Sequence, residues 1–380
     1  MRRPTKRLIL TAAALPALAL AAFAGWSALR PAPEPPAAAG ADWGDALSAL
    51  RSDAAFRPLP PDWSLSLPAD HGAHPAAPAE SWALTAHLTD EAESPLGLQV
   101  VLSRYALAPG GAAPDASPWR PRALHRGHVT LTEAAHGASE EEERFSRGAL
   151  GAAGHDPAAG AIVLDHWRLD LPRSKGTDTL SLSATVGAAA VSLRLTPVKP
   201  PLSAGPGAGP FRGYAVTRMQ AAGTVVRDGV ARRVSGLAWL DHLWGDLPPP
   251  GGPVVWDRLQ LHLSDGSDVS ATRRRRRDGG GTPAVDGFVV GPGGEARGLD
   301  AARMTAVGSA WTPPGDGAGY PLDWRLDGDA LDLRIAPAVT DQRRAFAEPV
   351  WSGLVRAEGR AGGAPVSGVG TLNLTGYESR

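Results

Sequence analysis

The clearest structural signal in the chain lies in residues 234–263, VSGLAWLDHLWGDLPPPGGPVVWDRLQLHL. On both sides of the Pro- and Gly-rich centre, apolar side chains recur at every second position, which is the period of a half-buried β-strand. The pattern predicts two strands. The short connection at residues 247–253 predicts that they are antiparallel neighbours in one sheet.

The second of these strands breaks its own pattern at Asp257. This acid shares a face with four aliphatic residues, Val255, Leu259, Leu261 and Leu263. A carboxyl group on an apolar face must be ion-paired, hydrogen-bonded or protonated. Two interpretations stay open: Asp257 ties down a turn or pairs with an Arg, or it belongs to a functional site.

The composition of the whole chain favours β-structure. Its 380 residues include 46 Gly and 36 Pro, which favours many short strands over long helices. A net charge of -1 gives no electrostatic basis for nucleic-acid binding. The absence of Cys excludes disulfides, thiolate catalysis and Cys-ligated metals. Twelve Trp suit the wall of an amphipathic cavity, because each pairs a large apolar area with one N–H donor.

Residues 1–29 are predicted to be a targeting segment. A basic start precedes a long apolar run that ends in small residues, the pattern of a signal peptide. The run is also long enough to stay as an uncleaved anchor, in which case this segment contacts the membrane. Both alternatives place the body of the protein in the periplasm or outside the cell, tethered to the inner membrane if the anchor is kept. Residues 30–61 are interpreted as a Pro/Ala-rich linker followed by a short helix.

Strand patterns then fill the rest of the chain in two halves of similar size. A Pro/Gly run at residues 196–211, TPVKPPLSAGPGAGPF, marks the natural boundary between them. The predicted domains are therefore residues 62–205 and residues 206–380. Many antiparallel strands in each half indicate two barrels or sandwiches.

Several motifs, in one shared order, resemble those of a single family. Residues 62–88, DWSLSLPADHGAHPAAPAESWALTAHL, are similar to its N-terminal signature of Pro-x-Asp-His, His-Pro and Glu-Trp-Trp-Tyr. Residues 235–245, SGLAWLDHLWG, are similar to its motif Gly-x-x-Trp-x-Asp-His-x-Trp-Gly. Over roughly residues 62–377 the chain resembles the AttH-like / carotenoid 1,2-hydratase family.

The resemblance implies an all-β fold of two consecutive lipocalin-like antiparallel β-barrel domains, without a cofactor. It also implies a hydrophobic small molecule, an isoprenoid or a lipid, as the binding partner. The hydratase branch adds water to a terminal C=C of an acyclic carotenoid, and a His, a Trp, a Tyr and an Asp are implicated in that step. His242 and Trp244 match the first two, whereas no Tyr occurs between Tyr214 and Tyr320.

Three family motifs are altered in this chain, and one of them is the final Gly-Tyr-x-Glu-Leu-Thr-Gly-Tyr, which is here residues 370–377, GTLNLTGY. Glu-Trp-Trp-Tyr is here Glu80-Ser81-Trp82-Ala83, and a late Tyr-Trp-Glu-Gly is residues 350–353, VWSG. The loss of acids and hydroxyls removes candidate proton donors. Two functions therefore stay open: a hydro-lyase of the carotenoid hydratase type, and a non-catalytic ligand-binding or accessory protein of an envelope lipid-handling or transport complex.

Hydration of an alkene needs a general acid and a surface that stabilises a carbocation, which a carboxyl group and Trp faces supply. The Asp is assigned to Asp257 rather than Asp268, because the strand pattern favours it. The predicted catalytic residues are Asp257, His242, Trp244 and Asp241. The predicted ligand-binding residues are Trp239, Trp256, Trp82, Glu80, Asp70, His71 and His74.

The strand period also predicts the geometry of this site. His242 and Trp244 share one face of their strand, and Trp239 and Asp241 share the opposite face. Asp257 follows the connection that His242 precedes, so the two are expected to be near cross-strand partners. We therefore predict that Asp257 lies within hydrogen-bond reach of a polar residue of this motif, inside or at the mouth of the second barrel.

Two polar stretches receive structural interpretations. His71 and His74 could join Asp241 or His242 around a metal ion, but nothing in the sequence fixes a third ligand, so we expect no metal. Asp70 is expected to cap nearby backbone amides. The five Arg of residues 273–277 are interpreted as a solvated strand end in which alternate side chains point apart.

Overall fold

The protein is described by a computed structural model that covers residues 56, 59–60, 62–109, 121–174, 176, 178–204, 211–246, 253–299, 301–314, 317–328 and 330–378. The predicted targeting segment lies outside the described residues, as does nearly all of the predicted linker and short helix. Within the described ranges, no helix has the length and hydropathy needed to cross a bilayer.

The first half of the described chain forms a twelve-stranded antiparallel sheet. Its strands are β1 (Ala79–Asp90), β2 (Pro95–Ala106), β3 (Ala123–Glu133), β4 (Ala138–Ser146), β5 (Ala153–Asp156), β6 (Ala161–Leu164), β7 (Trp167–Asp170), β8 (Leu180–Val186), β9 (Ala189–Pro197), β10 (Leu202–Ala204), β11 (Phe211–Arg227) and β12 (Val230–Gly245). They are ordered β4-β3-β2-β1-β12-β11-β9-β8-β7-β6-β5, and β10 pairs with β11. This sheet curves into a nearly closed barrel, the first barrel.

The second half forms a ten-stranded antiparallel sheet among the described residues. Its strands are β13 (Val254–Leu263), β14 (Asp268–Arg276), β15 (Ala284–Val290), β16 (Ala296–Gly298), β17 (Arg303–Ala306), β18 (Trp324–Gly328), β19 (Leu331–Pro337), β20 (Arg343–Arg344), β21 (Val350–Ala361) and β22 (Ala364–Thr375). They are ordered β16-β15-β14-β13-β22-β21-β19-β18-β17, and β20 pairs with β21. The sheet forms a half-barrel, the second barrel, and the predicted all-β fold class is confirmed.

Burial along the strands shows which faces are covered. In β9 every second side chain is buried, as expected for a strand with one face on a core. In β1 and β12 long runs are buried on both faces. The inner faces point into the first barrel, and the outer faces are covered by the second sheet.

Each barrel has its own apolar core. Trp82, Trp167 and Trp244 are among the large side chains of the first core, and Trp324 and Trp351 are central to the second. Full burial of one large apolar side chain stabilises the fold by roughly 1.5–3 kcal/mol. The Trp-rich composition therefore serves mainly the packing of the two interiors.

The two barrels meet through buried polar side chains. The Nε2 atom of His87 on β1 lies 2.8 Å from the Thr371 hydroxyl on β22. The Ser352 hydroxyl on β21 donates to the Gln99 side-chain oxygen on β2 at 2.8 Å. A buried polar group without a partner costs about 1–3 kcal/mol, so these pairs fix how the sheets face each other.

The strand pairing corrects one prediction from the sequence. The neighbours of β12 are β1 and β11, whereas those of β13 are β14 and β22. The two strands that flank the Pro/Gly connection are therefore not antiparallel neighbours, and that prediction is wrong. A Pro/Gly connection permits a hairpin and a crossing to another sheet equally, and residues 247–252 lie outside the described residues.

Sheet membership also differs from the predicted domain boundary. Strands β11 and β12 were assigned to the second domain, which was predicted to begin at residue 206, but they pair within the first sheet. The Pro/Gly run at residues 196–211 separates β9 from β11 inside that sheet and contains β10. A Pro- and Gly-rich segment shows that a strand is interrupted, but it does not show which sheet the next strand joins.

Candidate functional site

Strand β12 presents its motif residues to two different surroundings. His242 and Trp244 are buried in the first barrel, where His242 lies opposite Trp82 of β1. Trp239 and Asp241 point the other way, and Asp241 contacts residues of β13. The predicted division of the motif between two faces is confirmed.

The centre of the first-barrel site is the carboxylate of Glu80, which is completely buried. Its Oε1 atom lies 2.8 Å from His74 Nδ1 and 3.0 Å from His242 Nε2. Its Oε2 atom accepts a hydrogen bond from Arg104 Nε at 3.2 Å. The backbone N–H of His74 is 3.0 Å from both oxygens. We call His74, Glu80 and His242 the His–Glu cluster.

The electrostatics of the cluster follow from these contacts. Burial alone would raise the pKa of Glu80, but hydrogen bonds from His242 and His74 hold it at about 2. Burial lowers the pKa of His242, and the neighbouring Glu80 opposes that change. Glu80 is therefore an ionised carboxylate held by surrounding donors, which makes it a poor proton donor.

Aromatic rings enclose the cluster. His74 stacks on Trp244 with ring centres 3.6 Å apart and planes at 4°. His242 stacks on Trp82 with ring centres 4.5 Å apart and planes at 20°. These flat contacts fix both imidazoles in place, and they leave little freedom for the rings to rotate.

A Tyr–His pair lies next to the cluster. The hydroxyl of Tyr214 is 2.6 Å from Nδ1 of His71, and the Tyr214 ring meets His242 edge-on. Burial lowers the pKa of His71 to about 4 and raises that of the Tyr214 phenol. At neutral pH the phenol therefore keeps its proton and donates it in a hydrogen bond to a neutral imidazole.

The structure brings together seven predicted site residues at this end of the first barrel. They are Asp70, His71, His74, Glu80, Trp82, His242 and Trp244. Asp70 also accepts from the backbone N–H of Ser66 at 2.7 Å, which confirms its predicted capping role. Arg104 and Tyr214 were missed. Arg104 lies on β2 and Tyr214 lies on β11. No local pattern in the sequence predicts that these strands pair with β1 and β12.

Asp241 belongs to the contact between the barrels. Its carboxylate accepts from Trp239 Nε1 at 3.1 Å, from an Arg258 amino group at 2.8 Å and from Gln260 Nε2 at 2.9 Å. Arg258 and Gln260 lie on β13 of the second sheet. Asp241 and Trp239 therefore help to hold the two sheets together, and they lie away from the His–Glu cluster.

Asp257 is buried inside the second barrel, and its predicted partnership with the Trp239–Trp244 motif is wrong. Its Oδ2 atom accepts from an Arg273 amino group at 2.7 Å and from the Tyr377 hydroxyl at 3.2 Å. Arg275 Nε lies 3.4 Å from the same atom. The interpretation in which Asp257 pairs with an Arg is the one the structure supports.

Two further features separate Asp257 from the cluster. Its Oδ1 atom has no hydrogen-bond partner among the described residues, and burial raises the pKa of this carboxyl against the pull of Arg275 and Arg273. The neighbouring Trp256 points outward with 40% of its surface exposed. The alternation predicted for the Arg run is confirmed, because Arg274 and Arg276 are exposed while Arg273 and Arg275 approach Asp257. The prediction that the run is solvated is wrong for Arg273 and Arg275, which are largely covered.

Asp268, the other candidate for the family Asp, is part of a buried ion network. It accepts from Lys199 Nζ at 2.6 Å and from Arg218 Nε at 2.9 Å, and it lies 2.8 Å from His262 Nδ1. Lys199 is only 4% exposed. Arg218 lies on β11 and Lys199 lies between β9 and β10, so both belong to the first sheet and this network joins the two barrels.

A pocket adjoins the His–Glu cluster inside the first barrel. One part of its wall is apolar, with Trp82, Leu102 and Leu164, and another part carries His125 and His155. The enclosed space is small, about 10 Å³, which is roughly the room that one water molecule needs and far below the roughly 300–1,000 Å³ of ligand pockets. A hydrocarbon group would therefore enter only if side chains of the wall moved apart.

Comparisons with known proteins agree with this architecture. The model of a family described as AttH-like matches residues 58–377. The crystal structure of an AttH protein from Nitrosomonas europaea is 25% identical, with a TM-score of 0.72, and the match covers 85% of this chain and 100% of that one. No curated protein sequence matches the chain.

A second solved structure shares the fold at lower identity. Kievitone hydratase from Nectria haematococca is 13% identical, with a TM-score of 0.61, over 82% of this chain and 92% of that one. At this identity the likeness concerns the fold alone. The lipocalin-type pair of barrels is thus common to both neighbours.

Proposed function

Because the chain belongs to the AttH-like family, we propose that it is an exported lipocalin-like protein that binds an isoprenoid or lipid chain in the first barrel. The observation that supports this most directly is the amphipathic pocket beside the His–Glu cluster. Its apolar wall suits a hydrocarbon chain, and its two imidazoles suit a hydroxyl or carbonyl group.

The size of the pocket defines the expected ligand more closely. A long polyene cannot be enclosed in a space of about 10 Å³, and even a small group needs the wall side chains to move apart before it can enter. We therefore propose that only the terminal unit of a long chain enters, with the rest outside. Burial lowers the pKa of His125 to about 4 and that of His155 below its usual range, so both imidazoles are neutral at pH 7.

Quenching of Trp fluorescence tests this binding, because Trp82 lines the pocket. Farnesol and geranylgeraniol are expected to quench, and palmitate is expected to quench less. Ala73→Phe places a ring at the pocket wall and should weaken binding about tenfold or more, equivalent to about 1.4 kcal/mol. Ala69→Phe, at an exposed position of the same loop, is the matched control. Equal quenching by both variants would refute the pocket as the binding site.

A second candidate function, hydration of the bound alkene, is favoured by the Tyr214–His71 pair. The resemblance implies a Tyr in the hydratase reaction, and Tyr214 lies beside His242 although it is distant in the sequence. In hydration a C–H bond and a C–O bond form as the C=C π bond breaks, and water provides the hydrogen and the oxygen. Trp82, which lines the pocket, would stabilise the intermediate cation through its ring.

Incubation of acyclic isoprenoids in ¹⁸O-labelled water tests the hydratase. Mass spectrometry should detect a product that has gained one labelled water. Tyr214→Phe should abolish the product without loss of the far-UV circular dichroism, whereas Tyr320→Phe in the second core should retain it. Quenching without any labelled product would leave ligand binding as the function.

A further inference from the structure

We propose that the His–Glu cluster is a binding site for a divalent transition metal, and that zinc is the ion that fits it. The proposal shares its location with the proposed function, but it concerns the cluster itself and holds whether or not a ligand is bound or hydrated.

The donor atoms of the cluster suit a zinc ion. One nitrogen of His74, one nitrogen of His242 and one carboxylate oxygen of Glu80 all lie within 4.8 Å of one another. Two imidazoles and one carboxylate form a ligand set typical of catalytic zinc sites, which keep a fourth position open. Nitrogen donors also favour zinc over magnesium or calcium.

The ligands of the cluster are held rigidly. The pairing of β1 with β12 places Glu80 opposite Trp244 and Trp82 opposite His242, so two ligands sit side by side in one sheet. The third, His74, is tied to Glu80 through its own backbone N–H. The ligands are thus held in place before any metal arrives, which reduces the entropy lost on binding.

Neighbouring groups contact the proposed ligands from outside the cluster. Metal-binding His residues usually donate their other ring N–H to a carboxylate or carbonyl, which fixes the ring and its tautomer. The second ring nitrogen of His74 faces the Asp70 carboxylate at 3.3 Å. Arg104 Nε donates to the remaining oxygen of Glu80. The Nδ1 atom of His242 has no hydrogen-bond partner among the described residues. Two of the three proposed ligands, His74 and Glu80, therefore have an outer contact.

The cluster also leaves a route for the ion. The His74 side chain is 21% exposed, whereas Glu80 and His242 are fully buried. Without metal, ring protons occupy the space between the imidazoles and the carboxylate. A metal would replace them, and the single proton of a neutral imidazole would then sit on the other ring nitrogen.

The test is a titration of the full chain with zinc chloride, after a chelator has removed any metal already bound. Calorimetry should show one equivalent bound. Cobalt should give the intense visible absorption of a four-coordinate site. Binding of less than one equivalent, or a cobalt spectrum of six-coordinate type, would overturn the proposal.

Matched variants locate the ion. His74→Gln, at a partly exposed loop position, should abolish the tight equivalent while far-UV circular dichroism stays unchanged. Asp70→Asn should weaken binding about 10–100-fold, as loss of an outer-shell contact does. His166→Gln, at an exposed position on another strand connection, should bind as the unchanged protein does. Equal zinc binding by His74→Gln would show adventitious surface binding only and would refute the site.

Discussion

Glu80 in the first barrel and Asp257 in the second are both completely buried carboxylates, yet their surroundings differ. Donors reach both oxygens of Glu80, and its pKa is held at about 2. In Asp257 one oxygen accepts hydrogen bonds from Arg273 and Tyr377. The other oxygen has no hydrogen-bond partner among the described residues, and burial raises the pKa of this carboxyl. Burial alone thus does not decide whether a carboxyl is ionised: the number and placement of its donors do.

The largest effect that this comparison predicts is at Glu80. Glu80→Ala would leave Arg104 and two imidazoles without their shared acceptor, at a cost of about 3–5 kcal/mol in unfolding free energy. Glu80→Gln keeps the shape and one acceptor oxygen, so its loss should be smaller, on the order of 1–3 kcal/mol. Urea unfolding at pH 7 measures both. Equal stability of Glu80→Ala and the unchanged protein would remove the claim that this carboxylate organises the first barrel.

An intermediate effect is expected at Tyr377, which donates to Asp257. Tyr377→Phe should destabilise the protein by about 0.5–1.5 kcal/mol, the range for one hydrogen bond. The same substitution in an Asp257→Asn background should change stability by a different amount, because the acceptor is then an amide. Purely additive unfolding free energies in this cycle would show that the two side chains do not interact.

The smallest effect at neutral pH is expected for Asp257→Asn. Asn keeps an acceptor for Arg273, and no described donor reaches the second oxygen, so the change should stay under about 1 kcal/mol, below the usual cost of an unsatisfied buried group. The pH dependence has a definite sign. A carboxyl whose pKa is raised by folding stabilises the protein below its unfolded pKa, and it loses that contribution as the pH rises through its folded pKa.

The stability of Asp257→Asn relative to the unchanged protein should therefore improve as the pH increases from acidic to neutral. Arg273, Arg275 and Tyr377 face this carboxyl, and both Arg stay charged throughout that range. Melting temperatures of the two proteins at a series of pH values measure the trend. A difference that moves the opposite way would mean that the Arg pair, and not burial, dominates at Asp257.

The strands and their faces could be predicted from the sequence, because alternation is a local property. The two faces of the motif at residues 239–244 follow from a period of two, and the structure has them as predicted. The Asp-Gly pairs at residues 265–266 and 278–279 are turn signals that can be read from the sequence alone, and they lie in the turns that follow β13 and β14. The odd acid Asp257 was also correctly identified as needing a partner, and an Arg was one of the two alternatives.

The pairing of distant strands could not be predicted. His242 meets Glu80 across 162 positions of the chain, through the pairing of β12 with β1. No local pattern specifies such a contact, since every buried strand offers the same hydrogen-bonding edges. The prediction therefore joined Asp257 to the nearest strand in sequence, and it missed Arg104 and Tyr214. The set of possible metal ligands identified in the sequence lacked Glu80 for the same reason.

The adjacent residues Asp241 and His242 serve different parts of the molecule, since Asp241 fastens the second sheet and His242 completes the first-barrel cluster. Each of these contacts gives the dipeptide a structural role in this chain, so the Asp-His pair is a mark of architecture. Assigning an enzyme activity from it requires a measured reaction.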